Sequence, residues 1–209
     1  NLLLALKNNN TKNFIYTNTS AIYKPGLNIK ENSKIKCMSD YALSKNLTSE
    51  LIKKFSLEYK FLYKDLRLFS VYGKWEGQHR LTFGAILKAI QKKKFNILSS
   101  NQTRDYLNVE DVVNALILSI NINENLILNV CSGKGQQTHE LVKKIFKILN
   151  CKTNLISKKK DKVKSKELLK MVGNNKKTRK ILKWEPEISL EQGIKNIIKW
   201  LNENKSVNK

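Results

Sequence analysis

The sequence predicts an α/β fold built around a mostly parallel sheet. Short apolar segments typical of buried strands, such as residues 13–17 and 126–131, alternate with amphipathic segments of helical length. Of the 209 residues, 41% are hydrophobic and 27% are charged, which is the composition of a globular chain with a sizeable core. No apolar run reaches the roughly 18–20 residues that a bilayer-spanning helix needs.

The first half of the chain is predicted to begin with a helix and a buried strand that ends in polar residues. Pro25-Gly26 indicates a loop, and Asp40 is predicted to cap a long helix with apolar residues every four positions. The predicted elements, in order, are a helix up to residue 8, a strand at 13–17, a loop at 24–38, a helix at 41–59 and a strand at 64–71.

The second half continues the same alternation. Glu140 falls in the first turn of one predicted helix, where the helix dipole favours an acid, and Pro186 interrupts the chain before the last helix. The predicted elements are helices at 81–93, 110–120, 138–149 and 190–201 and strands at 95–98 and 126–131.

The net charge of +23 comes from 40 basic residues, of which only four are arginine. Arginine is the residue that nucleic-acid interfaces use for bidentate contacts, so we interpret the excess as a solvated lysine surface. A non-enzymatic polyanion-binding domain remains the alternative, with Lys158–Lys166 as its candidate patch. The three cysteines have no metal-site spacing, which favours a reducing, cytoplasmic setting without a metal.

Tyr41 and Lys45 are four residues apart on a predicted helix, so their side chains share one face. A neighbouring ammonium favours the phenolate form of a tyrosine, which otherwise titrates near pH 10. About one such pair is expected by chance in this lysine-rich chain, and in isolation it reads as a surface pair. Hydroxyl residues at the carboxyl end of the preceding strand favour a site, because ligands of open α/β sheets bind there.

Six further segments accompany this pair in a fixed order. Together they resemble the extended short-chain dehydrogenase/reductases, specifically the NAD-dependent epimerase/dehydratase group that acts on nucleotide sugars. The segments that carry the resemblance are Thr17-Asn-Thr-Ser-Ala-Ile-Tyr23, Glu31, Asp40-Tyr-Ala-Leu-Ser-Lys45, Leu66-Arg-Leu-Phe-Ser-Val-Tyr-Gly73, Thr103-Arg-Asp-Tyr-Leu-Asn-Val-Glu-Asp111, Asn129-Val-Cys-Ser-Gly133 and Leu182-Lys-Trp-Glu-Pro186.

The resemblance implies a catalytic triad of Thr19, Tyr41 and Lys45. Thr19 would hydrogen-bond the reacting sugar oxygen, and Tyr41 would be the general acid/base. Lys45 would bind the nicotinamide ribose and lower the pKa of the tyrosine. The alternative for Thr19 is an ordinary hydroxyl at a strand end.

The resemblance also implies residues that bind the nucleotide-diphosphate sugar. Arg104 matches an arginine that contacts the diphosphate, and its alternative is a structural ion pair. The resemblance places Lys164 where relatives have a second phosphate-binding arginine, and Arg80 is a candidate for the nucleotide. Ser70 takes a substrate position that is often asparagine.

The residue two positions after Thr19 distinguishes among reactions. Family dehydratases and decarboxylases usually have an acid there, whereas this chain has Ala21, which cannot move a proton. This departure favours 4-epimerisation through a keto-sugar intermediate. Reduction of a keto-sugar nucleotide needs the same residues and remains the alternative.

The resemblance finally implies a Rossmann-type fold in two parts. Residues 1–73 and 103–133 are expected to form the carboxyl-terminal part of a Rossmann-type parallel sheet, and residues 74–102 and 134–209 a smaller α/β substrate lobe. The family's glycine-rich phosphate turn and the acid that contacts the adenosine ribose do not occur in these 209 residues, so we expect them in a preceding segment or, alternatively, in a partner chain. The expected cofactor is NAD, and NADP is the alternative, because the residue that would distinguish them belongs to that missing part. A homodimer through helices of the Rossmann part is a further expectation.

Overall fold

A computed structural model describes residues 2–8, 11–97, 102–158 and 170–204. Its central sheet has the strand order β1-β3-β7, and every neighbouring pair is parallel. The three strands are β1 (Asn13–Thr19), β3 (Leu62–Leu68) and β7 (Leu126–Val130). The sequence predicted these three strands in one parallel sheet, and this prediction of the fold class is confirmed.

Six of the seven helices in the described residues begin and end close to their predicted bounds, and the seventh, α6, was not predicted. The cap of the long helix α2 is Ser39 and not Asp40, because the Ser39 side chain accepts a hydrogen bond from the amide of Ala42 while Asp40 is already the first helical residue. The helices are α1 (Leu2–Asn8), α2 (Asp40–Tyr59), α3 (Leu81–Ile90), α4 (Val109–Ile120), α5 (Thr138–Ile148), α6 (Lys176–Leu182) and α7 (Leu190–Glu203).

A second sheet lies beyond the carboxyl ends of the central strands. Its order is β2-β10-β6-β4, and β8 pairs with β6 in the antiparallel direction. Two further strands, β5 and β9, pair only with each other among the described residues. The bounds are β2 (Gly26–Ile29), β4 (Ser70–Tyr72), β5 (Phe95–Ile97), β6 (Thr103–Asn108), β8 (Gly135–Gln137), β9 (Ile156–Lys158) and β10 (Lys170–Gly173).

The strand predicted over 64–71 is in fact two strands in different sheets. Phe69 separates them: its amide bonds to the carbonyl of Val130 in the central sheet, and Ser70–Tyr72 then pairs with β6. The predicted loop at 24–38 likewise contains β2. Residues 103–133, which the resemblance assigns to the Rossmann-type sheet, are therefore divided between the two sheets. They contain β6 of the second sheet and β7 of the central sheet.

The buried apolar residues form several separate clusters. Leu66 and Leu128 of the central sheet pack with Val112 of α4 and with Trp184. A second cluster joins α3, α5 and α7 through buried residues such as Ile86, Ile145 and Ile197. None of the helices over the described residues combines the length and apolar character that a bilayer crossing requires.

Candidate active site

A cleft of about 540 Å³ lies where β1 and β3 end and the second sheet begins. Because β1 and β3 are parallel and paired from Asn13 with Leu62 to Thr19 with Leu68, their carboxyl ends meet at the same edge. The chain thus places polar strand-end residues beside the first turns of α2. Its lining includes six of the seven residues predicted for the site: Thr19, Tyr41, Lys45, Ser70, Arg80 and Arg104.

Tyr41 and Lys45 lie on one side of this cleft, one helical turn apart at the start of α2. The Tyr41 side chain is accessible, with 58% of its surface exposed. The Lys45 ammonium donates to the carbonyl of Thr17 at 2.6 Å and lies 4.5 Å from the centre of the Tyr16 ring. Burial lowers the pKa of Lys45, and the negative charge of Asp65 opposes that shift.

Thr19 ends β1 and starts the short 3₁₀ turn of Ser20–Ile22. Its hydroxyl oxygen accepts a hydrogen bond from the amide of Ala21 at 3.2 Å, which fixes the side chain at the strand end. A hydroxyl that accepts one bond can still donate its proton. Thr19 can therefore donate to an oxygen of a bound molecule in the cleft.

Two arginines line the cleft from the side of the second sheet. The Nε of Arg104 on β6 donates to Gln102 Oε1 at 2.9 Å, and over the described residues no carboxylate lies within ion-pair distance of it. The structural ion pair considered for Arg104 is thus not seen in that part of the chain. Arg80 forms an ion pair with Glu76 at 3.5 Å.

Several sequence expectations concern residues away from this cleft. Lys164 lies outside the described residues, as does most of the candidate polyanion patch, residues 159–166. His139 contacts the neighbouring carboxylate of Glu140 at 2.7 Å. Over the described ranges, no group of three or more His, Cys, Asp or Glu side chains could hold a metal ion.

A buried polar network beneath the cleft was not predicted from the sequence. Arg67 donates to the Tyr23 hydroxyl at 2.7 Å and to the Glu31 carbonyl at 2.9 Å, and Tyr23 in turn donates to Asn129 at 2.8 Å. Burial raises the pKa of Tyr23 to about 12, against the opposing effect of Arg67. Tyr23 is therefore a structural tyrosine, and Tyr41 is the accessible phenol of the cleft.

Asp105 forms a second unpredicted element, next to Arg104 in β6. It is fully buried and accepts hydrogen bonds from the backbone of Ser132, Gly133 and Gly173 and from the Ser132 hydroxyl. Burial raises the pKa of Asp105, and these hydrogen bonds act in the opposite direction. Arg67 and Asp105 both occur inside segments that carried the family resemblance, so the motifs were visible although the structural roles of these residues were not.

The family model for the NAD dependent epimerase/dehydratase family matches residues 1–131. A Methanocaldococcus jannaschii protein with the provisional name UDP-glucose 4-epimerase is 32% identical over 182 residues, covering 85% of this chain and 58% of that protein. The UDP-glucuronate 4-epimerase of Thermodesulfobacterium geofontis is 29% identical over 98% of this chain and 64% of its own length.

Solved structures agree with this assignment at the level of the fold. The UDP-glucose 4-epimerase of Thermotoga maritima superposes with a TM-score of 0.89 at 24% identity, covering 98% of this chain and 68% of that one. A dTDP-glucose 4,6-dehydratase from Bacillus anthracis gives the same TM-score at 20% identity, covering 98% and 66%. The chain spans less than two thirds of the length of both curated relatives. The match over residues 1–131 establishes that this chain belongs to the NAD dependent epimerase/dehydratase family.

Proposed function

We propose that this chain supplies the acid/base and sugar-binding half of an NAD-dependent nucleotide-sugar 4-epimerase. The observation that carries the proposal is the cleft, whose lining includes Thr19, Tyr41 and Lys45 together with Arg104 of β6 and Arg80 of the β4–α3 connection. An accessible phenol beside an ammonium suits proton transfer at a sugar hydroxyl, and arginines suit a diphosphate. The names of both curated relatives point to a UDP-sugar as the substrate class.

The residues of the cleft fit the nicotinamide half of NAD. Asn18, which precedes Thr19 and lines the cleft, is 2% exposed, and its amide nitrogen has no hydrogen-bond partner among the described residues. An unpaired buried donor is costly unless a bound group satisfies it, so it supports a ligand at this strand end. Lys45 and Tyr41 would hold the ribose, and the pyrophosphate needs a glycine-rich turn that these 209 residues lack.

In the proposed reaction, three side chains contribute to proton transfer at the sugar 4-hydroxyl. The phenolate of Tyr41 takes the proton of the sugar 4-hydroxyl and later returns it to the same oxygen, when the hydride is returned to the opposite face of carbon 4. The Thr19 hydroxyl donates to the same oxygen and keeps it oriented, and the Lys45 ammonium favours the phenolate by its positive charge. When bound, NAD supplies the acceptor and donor of the hydride at carbon 4.

Ala21 supports epimerisation over elimination. It lines the cleft within the 3₁₀ turn, two residues after Thr19, and its methyl group carries no proton. Elimination requires a group that moves a proton at the neighbouring sugar carbon, whereas oxidation and re-reduction at carbon 4 do not. The reductase alternative differs in its cofactor balance, because it consumes reduced cofactor.

The full-length protein, incubated with NAD and UDP-glucose or UDP-glucuronate, is expected to form the 4-epimer until both epimers coexist. Anion-exchange chromatography with proton NMR of the sugar measures this, and absorbance at the reduced-nicotinamide band follows the cofactor. Epimer formation without net cofactor reduction supports the proposal. Stoichiometric consumption of reduced cofactor with a keto-sugar substrate would show a reductase instead of an epimerase. A 6-deoxy-4-keto product would show a dehydratase.

We also propose that helix α2 pairs with the same helix of a second copy. Leu43, Leu47 and Leu51 recur every four residues and are each about half exposed, at 49%, 54% and 50%. They lie on the opposite side of the helix from Tyr41 and Lys45, because two residues along an α-helix rotate the side chain by about 200°. Such a stripe is the pattern by which helices pack against one another.

Leu47→Glu is therefore expected to convert the dimer into a monomer, since it places two carboxylates in the middle of the paired stripes. Light scattering after size-exclusion chromatography measures the mass. Ile117→Glu is the matched control, because Ile117 is similarly exposed, at 55%, and lies on a different helix, α4. A wild-type monomer, or a Leu47→Glu dimer, contradicts the pairing.

A further inference from the structure

Glu76 is a largely buried acid in the connection between β4 and α3, beside the cleft residue Arg80. Its side chain is 11% exposed, and its Oε1 lies 3.5 Å from the Nε of Arg80. The other oxygen, Oε2, is buried and has no hydrogen-bond partner among the described residues. Burying a charged carboxylate costs free energy unless both of its oxygens have hydrogen-bond or ion-pair partners. A carboxylate with one unpaired oxygen therefore rarely contributes to stability alone.

The ion pair constrains Arg80 in a specific way. Glu76 contacts the Nε side of the guanidinium, while the terminal Nη1 and Nη2 groups have no partner in the described part of the chain. Arg80 lines the cleft and its side chain is 55% exposed. A long arginine side chain loses conformational entropy when it binds an anion. An ion pair at Nε restricts the side chain before the anion binds, so less entropy is lost on binding.

Few other charged groups face the Glu76 carboxylate. Arg80 is the nearest charged group, and the amide of Phe83 at the start of α3 donates to the Glu76 carboxylate. Burial raises the pKa of Tyr106 on β6, and the negative charge of Glu76 raises it further. Arg104 and Arg80 act on the pKa of Tyr106 in the opposite direction, so the Glu76 carboxylate and both cleft arginines lie near the same tyrosine. Burial raises the pKa of Glu76 to about 7, and Arg80 opposes that shift.

We propose that Glu76 is a positioning residue, which holds the guanidinium of Arg80 with both Nη groups free to bind the diphosphate of the substrate. The inference rests on the proposed function for the identity of the anion. It differs from a competing arrangement in which Glu76 withholds Arg80 from the ligand, because removal of the carboxylate would then strengthen binding.

Glu76→Gln in the full-length protein is expected to raise the KM for the UDP-sugar about fivefold and leave kcat within about twofold, because the lost interaction concerns binding. Arg80→Ala should raise KM at least as much, and Glu76→Gln added to Arg80→Ala should have no further effect. Glu191→Gln is the matched control: it removes an i,i+4 ion pair with Lys195 on α7, outside the cleft lining. Equal melting temperatures of the variants exclude a folding defect.

The pH dependence of KM separates positioning from a purely structural role. Glu76 becomes neutral below about pH 7, so the wild-type KM should rise between pH 8 and pH 6, while Glu76→Gln should give a flat profile. The diphosphate of a UDP-sugar has no terminal phosphate group that titrates in this range, so its charge stays constant.

The same variants distinguish failure of this inference from failure of the proposed function. Calorimetry with UDP-glucose measures binding without turnover. If wild-type protein shows no epimerisation but Glu76→Gln still weakens UDP-glucose binding, the positioning role stands and the proposed reaction falls. If epimerisation occurs and Glu76→Gln behaves like Glu191→Gln, or binds more tightly than wild type, the positioning role is wrong.

Discussion

Replacing Tyr41 by phenylalanine in the full-length protein is expected to lower kcat by about 10²- to 10⁴-fold, with little change in KM. The phenolic hydroxyl is the only group that the substitution removes, and its proposed contribution is proton transfer in the transition state. Because 58% of Tyr41 is exposed and the ring is retained, the loss should not affect folding. Initial rates of epimer formation at saturating UDP-sugar, together with the KM from a substrate titration, measure the effect.

Tyr59→Phe is the matched control for this experiment. Tyr59 is the last residue of the same helix and is absent from the cleft lining, so its variant should keep the wild-type kcat. An unchanged kcat in Tyr41→Phe would remove Tyr41 from the acid/base role. A rise in KM with unchanged kcat would reassign it to substrate binding.

The parts of the fold with strong periodicity were predictable from the sequence. The alternation of apolar strands and helices predicted the parallel central sheet, and the four-residue spacing of Tyr41 and Lys45 predicted a shared helix face; the structure confirms the sheet and places both residues at the cleft. These features depend on local patterns, whose signal is complete within 10–20 consecutive residues.

The second sheet was largely invisible because its strands are short and polar. β2, β8 and β10 have three or four residues each, so the period-two pattern of a strand has no room to emerge. Their pairing joins Gly26 to Met171 and Thr103 to Gln137, across long stretches of chain. The break at Phe69 was missed for a different reason, because the strands on both sides of it follow each other directly and resemble one continuous strand.

The site was predictable in its residue types but not in its supporting contacts. Tyr41, Lys45 and Arg104 have motif neighbours in the sequence, whereas Glu76 has none, and its link to the cleft exists only through Arg80. Arg67 is another example, because its position in a strand does not disclose that it bonds to Tyr23. Such partners are set by tertiary packing, which local sequence does not encode.

Asp105 connects the two sheets through a fully satisfied carboxylate. Oδ1 accepts from the amide of Ser132 at 2.7 Å and from its hydroxyl at 2.6 Å. Oδ2 accepts from the amides of Gly133 at 2.9 Å and Gly173 at 3.2 Å. Ser132 and Gly133 follow the central strand β7, and Gly173 ends β10, so one side chain of β6 holds the ends of these two strands together.

Asp105→Asn is expected to reduce the free energy of unfolding by about 2–4 kcal/mol, even though its shape is nearly unchanged. An amide has a single acceptor oxygen, so its NH₂ group must face one of the two pairs of donors. Either the two Ser132 groups or the amides of Gly133 and Gly173 then lose their acceptor in a fully buried site. Urea denaturation of the full-length protein, with equal m values as the test of two-state unfolding, measures the change.

Ser132→Ala is the matched control, because of the four hydrogen bonds to Asp105 it removes only the hydroxyl bond to Oδ1. It also removes the exposed bond from the amide of Lys134 to the Ser132 hydroxyl, and it should cost about 1 kcal/mol. If Asp105→Asn costs no more than Ser132→Ala, the carboxylate does not hold the strand ends together. Asp105→Asn should also raise the KM for the UDP-sugar while sparing kcat, because Arg104 is its neighbour on β6 and Tyr41 lies on a different element. A loss confined to kcat would contradict this, since it would place the effect of Asp105 on proton transfer instead of on the arginine side of the cleft.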